Sequence, residues 1–293
     1  MSRNTIALPT RSIVQFLGIN TLRLFVIIVL LFLGIILWDI FSKGFAVISS
    51  TFLLDYPRRG MMEGGIFPAI AGTTFVTLVT TLFAIPFGIC AAIYLSEYAT
   101  DNALNRFIRA AIRNLAGVPS IIYGLFGVAV FVQGAALGAS ILSSGLTLGL
   151  LTLPYIITTT EEALKNVPQS YREGAMALGA TRWEAIRTNV LPGAVSGIVT
   201  GAILGLSRAA GETAPILFTG VAFYLRYLPS SVHDEFMALP YHLYILSTQH
   251  HAIAEVRPLA YGTAVVLLGL VFLLNILAFI IRYRYRKFHN HRV

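Results

Sequence analysis

The chain has 293 residues, of which 56% are hydrophobic and only 12% are charged, and its formal net charge is +8. This composition excludes an ordinary soluble domain and is typical of a membrane protein with several spans. The single cysteine, Cys90, excludes an internal disulfide and a cluster of thiolate ligands. The sequence has no GxxxxGK[ST] phosphate loop, so we expect no cofactor on this chain and any ATP on a partner.

Six windows are long and apolar enough to cross a bilayer, for which about 20 residues suffice. They are residues 22–41, 69–95, 114–132, 141–160, 190–219 and 259–281. Backbone groups in lipid must be hydrogen-bonded within their own segment, so we predict an all-α membrane protein with six transmembrane helices. With the N-terminus inside, 15 of the 21 Lys and Arg residues fall on the cytoplasmic side. This bias predicts cytoplasmic N- and C-termini, and it is a topology signal rather than a nucleic-acid patch.

The first two spans carry few polar features. Residues 1–65 contain a polar tail, the first span and an external loop to which the sequence assigns no chemistry. Pro86 in the second span predicts a bend. After this span, Thr100 or Asp101 is expected to cap a short cytoplasmic helix. That helix carries Arg106, Arg109 and Arg113, a basic face that fits either a partner contact or a topology signal.

Residues 161–192 form a polar connection with the signals of two short helices. Ser170 precedes Glu173 by three residues and Thr181 precedes Glu184 by three, and each pair predicts a capping box. Gly179 lies between them and suits the left-handed turn that ends a helix. We call this predicted helix–glycine–helix unit the elbow.

One face of the first elbow helix holds Tyr171, Ala175 and Leu178, at spacings i, i+4 and i+7. A helix this short is unstable alone in water and needs a surface to pack on. The spacing fits a docking helix for a partner and, equally, an amphipathic loop helix that lies on the membrane.

The fifth span carries two charges on a face of small residues. At 100° per residue, Gly193, Gly197, Gly201 and Gly205 share one side of the helix, and Arg208 and Glu212 continue it. We therefore expect this face to point into the bundle. An arginine at the centre of a span costs about 2.5–3.5 kcal/mol, whereas an exposed i,i+4 ion pair returns only about 0.3–0.5 kcal/mol.

Two interpretations of this pair remain open. It is either a structural link between helices or part of an anion pathway, in which the guanidinium of Arg208 binds an oxyanion. Glu212 would then accept the proton that hydrogen phosphate offers and that fully ionised sulfate lacks, or return to Arg208 when the pathway is empty. The external segment 224–258 contains four histidines, and their spacing matches no zinc site, so we expect no metal there.

Two motifs resemble known permeases. EGAMALGATRWEAIRTNVLP resembles the EAA loop of bacterial ABC-importer permeases, with Gly174 in place of the middle alanine and Asn189 in place of the usual isoleucine. The residues that match the motif are Glu173, Ala175, Gly179, Leu191 and Pro192. SRAAGETAPILFTG resembles the phosphate ABC-transporter permeases of the PstA type, and a similar likeness covers most of residues 66–281. The tripeptide Thr213-Ala214-Pro215 separates it from sulfate and molybdate permeases, which typically continue with Phe-Gly.

The resemblance implies a type I ABC importer permease fold in the bacterial cytoplasmic (inner) membrane. The permease domain would cover residues 66–285, with the coupling loop at 161–192 and a basic C-terminal tail at 286–293. The pathway for phosphate would include Arg208, Glu212 and Thr213. The contact with the ATPase would be made by Tyr171, Glu173, Ala175, Leu178 and Gly179.

The resemblance also implies partners. They are a second, PstC-like permease subunit as heterodimer, two PstB-like ATPase subunits that hold ATP-Mg, an external PstS-like phosphate-binding protein, and membrane lipid. This chain would then break no bond and would not be an enzyme. The alternatives are a permease for another oxyanion, a secondary anion transporter or channel that works without ATP, and a membrane scaffold or sensor.

Overall fold

The computed structural model describes residues 9–289, and the side chains of residues 15–283 apart from 278 and 281. Long helices dominate this part of the chain: α1 (Pro9–Gly44), α3 (Phe67–Ile93), α6 (Ile141–Lys165), α9 (Leu191–Gly211) and α12 (Ile253–His289). Shorter helices are α2 (Ser50–Leu54), α4 (Ala103–Leu115), α5 (Ser120–Gly127), α7 (Gln169–Ala177), α8 (Arg182–Ala185), α10 (Ala214–Thr219) and α11 (Leu239–Thr248). A small antiparallel pair, β1 (Pro57–Arg58) and β2 (Glu63–Gly64), lies between α2 and α3.

Five of the helical segments in residues 9–289 are long and apolar enough to cross a membrane. The window at 114–132 is not one straight helix. It covers the end of α4, the connection after it and most of the helical segment Ser120–Gly134 that begins with α5. α4 and this segment are bent by 105° and pass the same test only as a pair. With this pair counted as one span, the prediction of an all-α protein with six spans is confirmed.

Wide π-helical turns extend three of these segments. They follow α3 at Tyr94–Tyr98, follow α5 at Val128–Gly134, and join α8 to α9 at Ile186–Val190. The fifth span therefore runs without a break from Arg182 to Gly211. Single π turns inside helices are frequent at functional sites.

The prediction of one helix over residues 190–219 is wrong. α9 ends at Gly211, Glu212 has extended backbone angles (φ −76°, ψ 132°), and α10 begins at Ala214. Pro215 lies in the first turn of α10, where its missing N–H costs no hydrogen bond. In the middle of a continuous helix the same proline would remove one.

The spanning helices pack side by side in the order α3, α6, α9 and α12, and α1 packs against α12. The glycine face of α9 points into the bundle, as predicted. It lies so close to α6 that a Cβ on Gly197 would come within 2.5 Å of the Ala163 Cβ. The last two turns of α1 are tied to α12, where the Tyr261 hydroxyl donates to Asp39 over 2.9 Å.

One prediction near a helix end needs correction. α4 is capped by Asn102, whose side chain accepts from the Asn105 N–H over 2.8 Å, rather than by Thr100 or Asp101. Asn102 is the last extended residue before the helix, so its side chain is the one in reach of the free N–H groups. α12 continues to His289, so the first half of the basic tail expected at 286–293 is helical. Residues 290–293 lie outside the described part.

Candidate functional site

The elbow consists of α7, a glycine turn and α8. The first predicted capping box, Ser170 with Glu173, is wrong. Pro168 occupies the position before α7 and no side chain caps this helix, so Ser170 is already its second residue and cannot bond the N–H groups ahead of it.

The second capping box is confirmed. The Thr181 Oγ1 accepts from the Glu184 N–H over 3.3 Å, and the Glu184 carboxylate accepts from the Thr181 N–H over 2.7 Å. The Thr181 hydroxyl also donates to the Glu184 carboxylate over 2.8 Å. The pKa of Glu184 is lowered mainly by the bond from the Thr181 N–H and secondly by the bond from this hydroxyl. Gly179 has φ +91°, the left-handed geometry predicted for it, which favours glycine.

Most of the residues predicted to contact an ATPase belong to the exposed part of the elbow, which we call its outer side. Tyr171 is 49% exposed and Leu178 is 91% exposed, and Met176 and Trp183 have about half of their surface free. Glu173 and Gly179 are exposed, whereas Ala175 is half-buried. Several large apolar side chains exposed on one short unit are typical of an interaction surface.

The inner side of the elbow holds an ion pair that sequence reasoning missed. The guanidinium of Arg172 on α7 donates two hydrogen bonds, of 2.7 and 3.0 Å, to the carboxylate of Glu97. The same group donates to the Leu164 and Val167 carbonyls at the end of α6, over 2.8 and 2.9 Å. The two charged side chains are only 13% and 5% exposed. They are 75 residues apart in the chain, and no local pattern signals such a pair.

A second buried pair holds α4 to the same end of the bundle. Arg109 pairs with Glu161 on α6 over 2.9 Å, and Lys165 pairs with the same carboxylate over 2.8 Å. Arg109 also donates to the Leu95 carbonyl in the π turn after α3. The basic face expected on α4 is thus partly used inside the protein.

The charged pair of the fifth span flanks the break between α9 and α10. Arg208 Nε lies 3.3 Å from Glu212 Oε1, and the two side chains are 48% and 17% exposed. The Arg208 guanidinium lies over the Tyr155 ring of α6, 5.0 Å from its centre, a favourable cation–π contact. Thr213 follows at the break and makes no side-chain cap to α10.

Polar contacts surround this pair on both sides. The Tyr155 hydroxyl donates to the Ala116 carbonyl at the bend between α4 and α5, over 3.1 Å. Ser207 donates to Asn275 on α12 over 3.0 Å. Sequence reasoning placed Glu212 inside the helix. The signal for the break was available in Gly211 and Pro215, a helix end followed by a helix start.

The histidines of the segment 224–258 lie at the opposite end of the bundle from the elbow. His250 contacts the Gly60 carbonyl over 2.8 Å and stacks on His251. His242 on α11 is buried, and its pKa falls to about 4, mainly through burial and secondly through the nearby His250. Among the side chains that the structure describes, no group of three or more His, Cys, Asp or Glu is placed to hold a metal.

Comparisons with known proteins agree with this architecture. A family model described as a binding-protein-dependent transport system inner membrane component matches residues 84–287. The probable ABC transporter permease protein YqgI of Bacillus subtilis is 34% identical over 61% of each chain. The chain thus spans less than two thirds of that relative.

Other relatives match over more of their length. Phosphate transport system permease protein PstA 1 of Mycobacterium tuberculosis (strain ATCC 25618 / H37Rv) is 32% identical over 85% of this chain and 80% of that protein. Phosphate transport system permease protein PstA of Yersinia pestis is 36% identical over 84% and 83%.

Among solved structures, a bacterial alginate ABC transporter in complex with a pentasaccharide-bound periplasmic protein aligns with a TM-score of 0.64. It covers 94% of this chain and 98% of its own, at 16% identity. The inward-facing MetNI methionine ABC transporter aligns with a TM-score of 0.61 over 75% and 97%, at 19% identity. Identities this low support the fold alone.

Proposed function

The chain belongs to the family of binding-protein-dependent transport system inner membrane components, and from this we propose that it is the transmembrane permease subunit of an ATP-driven inorganic phosphate importer. It is a multi-pass protein of the bacterial inner membrane. The observation that carries the proposal is the half-exposed Arg208–Glu212 pair at a helix break, in a chain whose relatives of similar length are phosphate transport permeases. Broken helices at the membrane midplane build the binding sites of many transporters.

Arg208, Glu212 and Thr213 form part of the phosphate pathway in this proposal. The exposed guanidinium presents several donors to a phosphate oxygen. The Glu212 carboxylate accepts a hydrogen bond from the protonated oxygen of hydrogen phosphate, and it pairs with Arg208 when the pathway is empty. The 3.3 Å separation and the single contact make this local pair easy to exchange for a ligand. No bond of phosphate is broken, so this chain supplies a route and a partner supplies the hydrolysis.

The elbow is the proposed contact with the ATPase subunits, which hold ATP-Mg. Support comes from its exposed residues, the apolar Tyr171 and Leu178 together with Glu173 and Gly179, while Ala175 is half-buried. From α8 the chain runs as one continuous helical segment to Arg208, so a movement of the elbow is carried toward the charged pair.

The full assembly in this proposal contains a PstC-like permease as second half of the pathway, two PstB-like ATPases and a PstS-like external phosphate-binding protein, all surrounded by lipid. The elbow end and both termini face the cytoplasm, supported by the basic residues that cluster at that end. A permease for another oxyanion, and a secondary anion transporter or channel, remain the alternatives.

The test is to purify the complex with its ATPase, reconstitute it in liposomes with the phosphate-binding protein, and measure uptake of labelled phosphate. Uptake should require hydrolysable ATP, and an excess of unlabelled sulfate should compete poorly. Uptake that persists with an inactive ATPase would support a secondary transporter or channel instead. Efficient competition by sulfate would indicate another oxyanion.

A further inference from the structure

We propose that Arg172 and Glu97 form the joint that passes movement of α7 to the end of the second spanning helix, which makes Arg172 a positioning residue for coupling. This role rests on the proposed function, because it concerns how the elbow acts on the spans. It is separate from the outer surface of the elbow, since both side chains lie on its inner side.

The hydrogen bonds of Arg172 join three parts of the chain. Two bonds of 2.7 and 3.0 Å run to the two oxygens of Glu97 on the π turn after α3. Two further bonds, of 2.8 and 2.9 Å, run to the carbonyls of Leu164 and Val167 at the end of α6. A guanidinium held in this way is fixed in direction as well as in distance. α7 cannot slide past α3 by the length of one hydrogen bond without breaking several of them.

Burial makes this joint stiff. Arg172 and Glu97 are 13% and 5% exposed, so water cannot readily replace either partner, and separating the two would leave a buried charge unpaired. A surface ion pair would exchange with water and transmit little.

The element that receives the movement is itself held from a second side. Glu97 lies in the π turn at Tyr94–Tyr98, and Arg109 of α4 donates to the Leu95 carbonyl in the same turn. Arg109 also pairs with Glu161 on α6. A shift of α7 therefore acts on a turn that is hydrogen-bonded by two arginines, Arg172 and Arg109. This turn is the end of the helical segment that begins with α3, so the shift is transmitted to α3 within the bundle.

The experiment measures phosphate uptake and ATP hydrolysis in the same proteoliposomes for the whole importer. The variants are Glu97→Gln, Arg172→Gln and the double variant, and the control is Glu63→Gln. The control makes the same carboxylate-to-amide change in an Arg–Glu pair that lies away from α7 and from the turn after α3.

Each single variant should lower the phosphate imported per ATP hydrolysed by about tenfold, the effect of one lost charge-assisted hydrogen bond. Hydrolysis per complex should continue, because the outer surface of the elbow is unchanged. The double variant should be no worse than the single ones, since the two residues act as one unit. Glu63→Gln should leave the ratio near that of the wild type.

Arg172→Lys keeps the positive charge, and it replaces the amide variants in this test if they fail to assemble. It loses the paired geometry of the guanidinium, so the ratio should still fall. The joint is disproved if Glu97→Gln or Arg172→Lys lowers uptake and hydrolysis in parallel and leaves their ratio unchanged, because the pair then only holds the fold. Wild-type protein that shows no ATP-driven phosphate uptake would instead overturn the proposed function, whatever the variants do.

Discussion

Two Arg–Glu pairs in this protein have the same chemistry and opposite surroundings. Arg172 and Glu97 are buried, doubly bonded and far apart in sequence. Arg208 and Glu212 are neighbours on one chain segment, joined by a single 3.3 Å contact, and the arginine is half exposed. The difference indicates that an ion pair serves structure when water is excluded and its hydrogen bonds are complete. An ion pair can bind a ligand when one of its side chains remains exposed to solvent.

The largest expected effect is that of Glu97→Ala. Removing one partner of a buried pair typically costs about 3–5 kcal/mol of stability, because it leaves the other charge unpaired. We expect a large fall in the thermal unfolding temperature of the purified complex. Glu63→Ala is a control, since it breaks an exposed Arg–Glu pair with Arg59 and should change this temperature little. Equal effects of the two substitutions would remove the contrast between buried and open pairs.

Acid provides a test at the other end of the bundle. The pKa of His242 is lowered to about 4 in the folded protein, below the value of about 6.5 for a free histidine. The unfolded chain therefore binds a proton first, and stability should fall as the pH drops from 6.5 toward 4, by about 1.4 kcal/mol for each pH unit.

His242→Phe should flatten this dependence between pH 6.5 and 5, measured as unfolding temperature against pH. A wild-type profile that the substitution leaves unchanged would show that His242 is not the source of the acid sensitivity.

Arg208→Ala should impair phosphate uptake strongly and stability little, the reverse of the balance expected for Glu97→Ala. An open pair contributes at most about 1 kcal/mol to stability, whereas a charged hydrogen bond to a ligand is worth about 1.5–3 kcal/mol. We expect phosphate uptake to fall by about 10- to 100-fold while the unfolding temperature hardly changes. Arg59→Ala is the matched control, because Arg59 also pairs with a glutamate four residues later. Normal uptake by Arg208→Ala would make this pair structural as well.

The smallest expected effects come from two glycines in the elbow, next to the buried pair. A Cβ on either Gly174 or Gly179 would meet no atom within 4 Å, but only Gly179 has a positive φ. Gly179→Ala should destabilise the elbow by about 1–2 kcal/mol. Gly174→Ala should stabilise α7 by about 0.5–1 kcal/mol. Hydrogen exchange of α7 and α8 would measure both, and equal shifts of the same sign would show that the turn does not require its left-handed geometry.

Local patterns in the sequence predicted local structure well. Thr181 with Glu184, the turn at Gly179 and the glycine face of α9 each depend on residues a few positions apart, and all three are confirmed. The box at Ser170 failed because the position of the first helical residue was off by a few places, and capping depends on that position. The roles of Tyr171, Glu173, Arg208 and the other predicted site residues stay predictions.

What the sequence could not predict depends on contacts between distant segments or on where a helix stops. Glu97 and Arg172 meet only because α3 and α6 pack together and end at the same level. The helical wheel treated the fifth span as continuous through Glu212, so it missed the break that leaves this carboxylate in extended backbone.

The first helix has a consequence for the choice of membrane. α1 contains 36 residues, about 54 Å at 1.5 Å per residue, against about 30 Å of hydrocarbon. Its polar ties to Tyr261 come from Asp39 and Lys43, at one end, and its apolar window is otherwise uncovered. The apolar window of residues 22–41 is about 30 Å long and matches the hydrocarbon, so the polar first turns of α1 extend beyond it. Because α1 is fastened to the bundle at one end only, a bilayer thinner than this window should make α1 tilt away from the bundle.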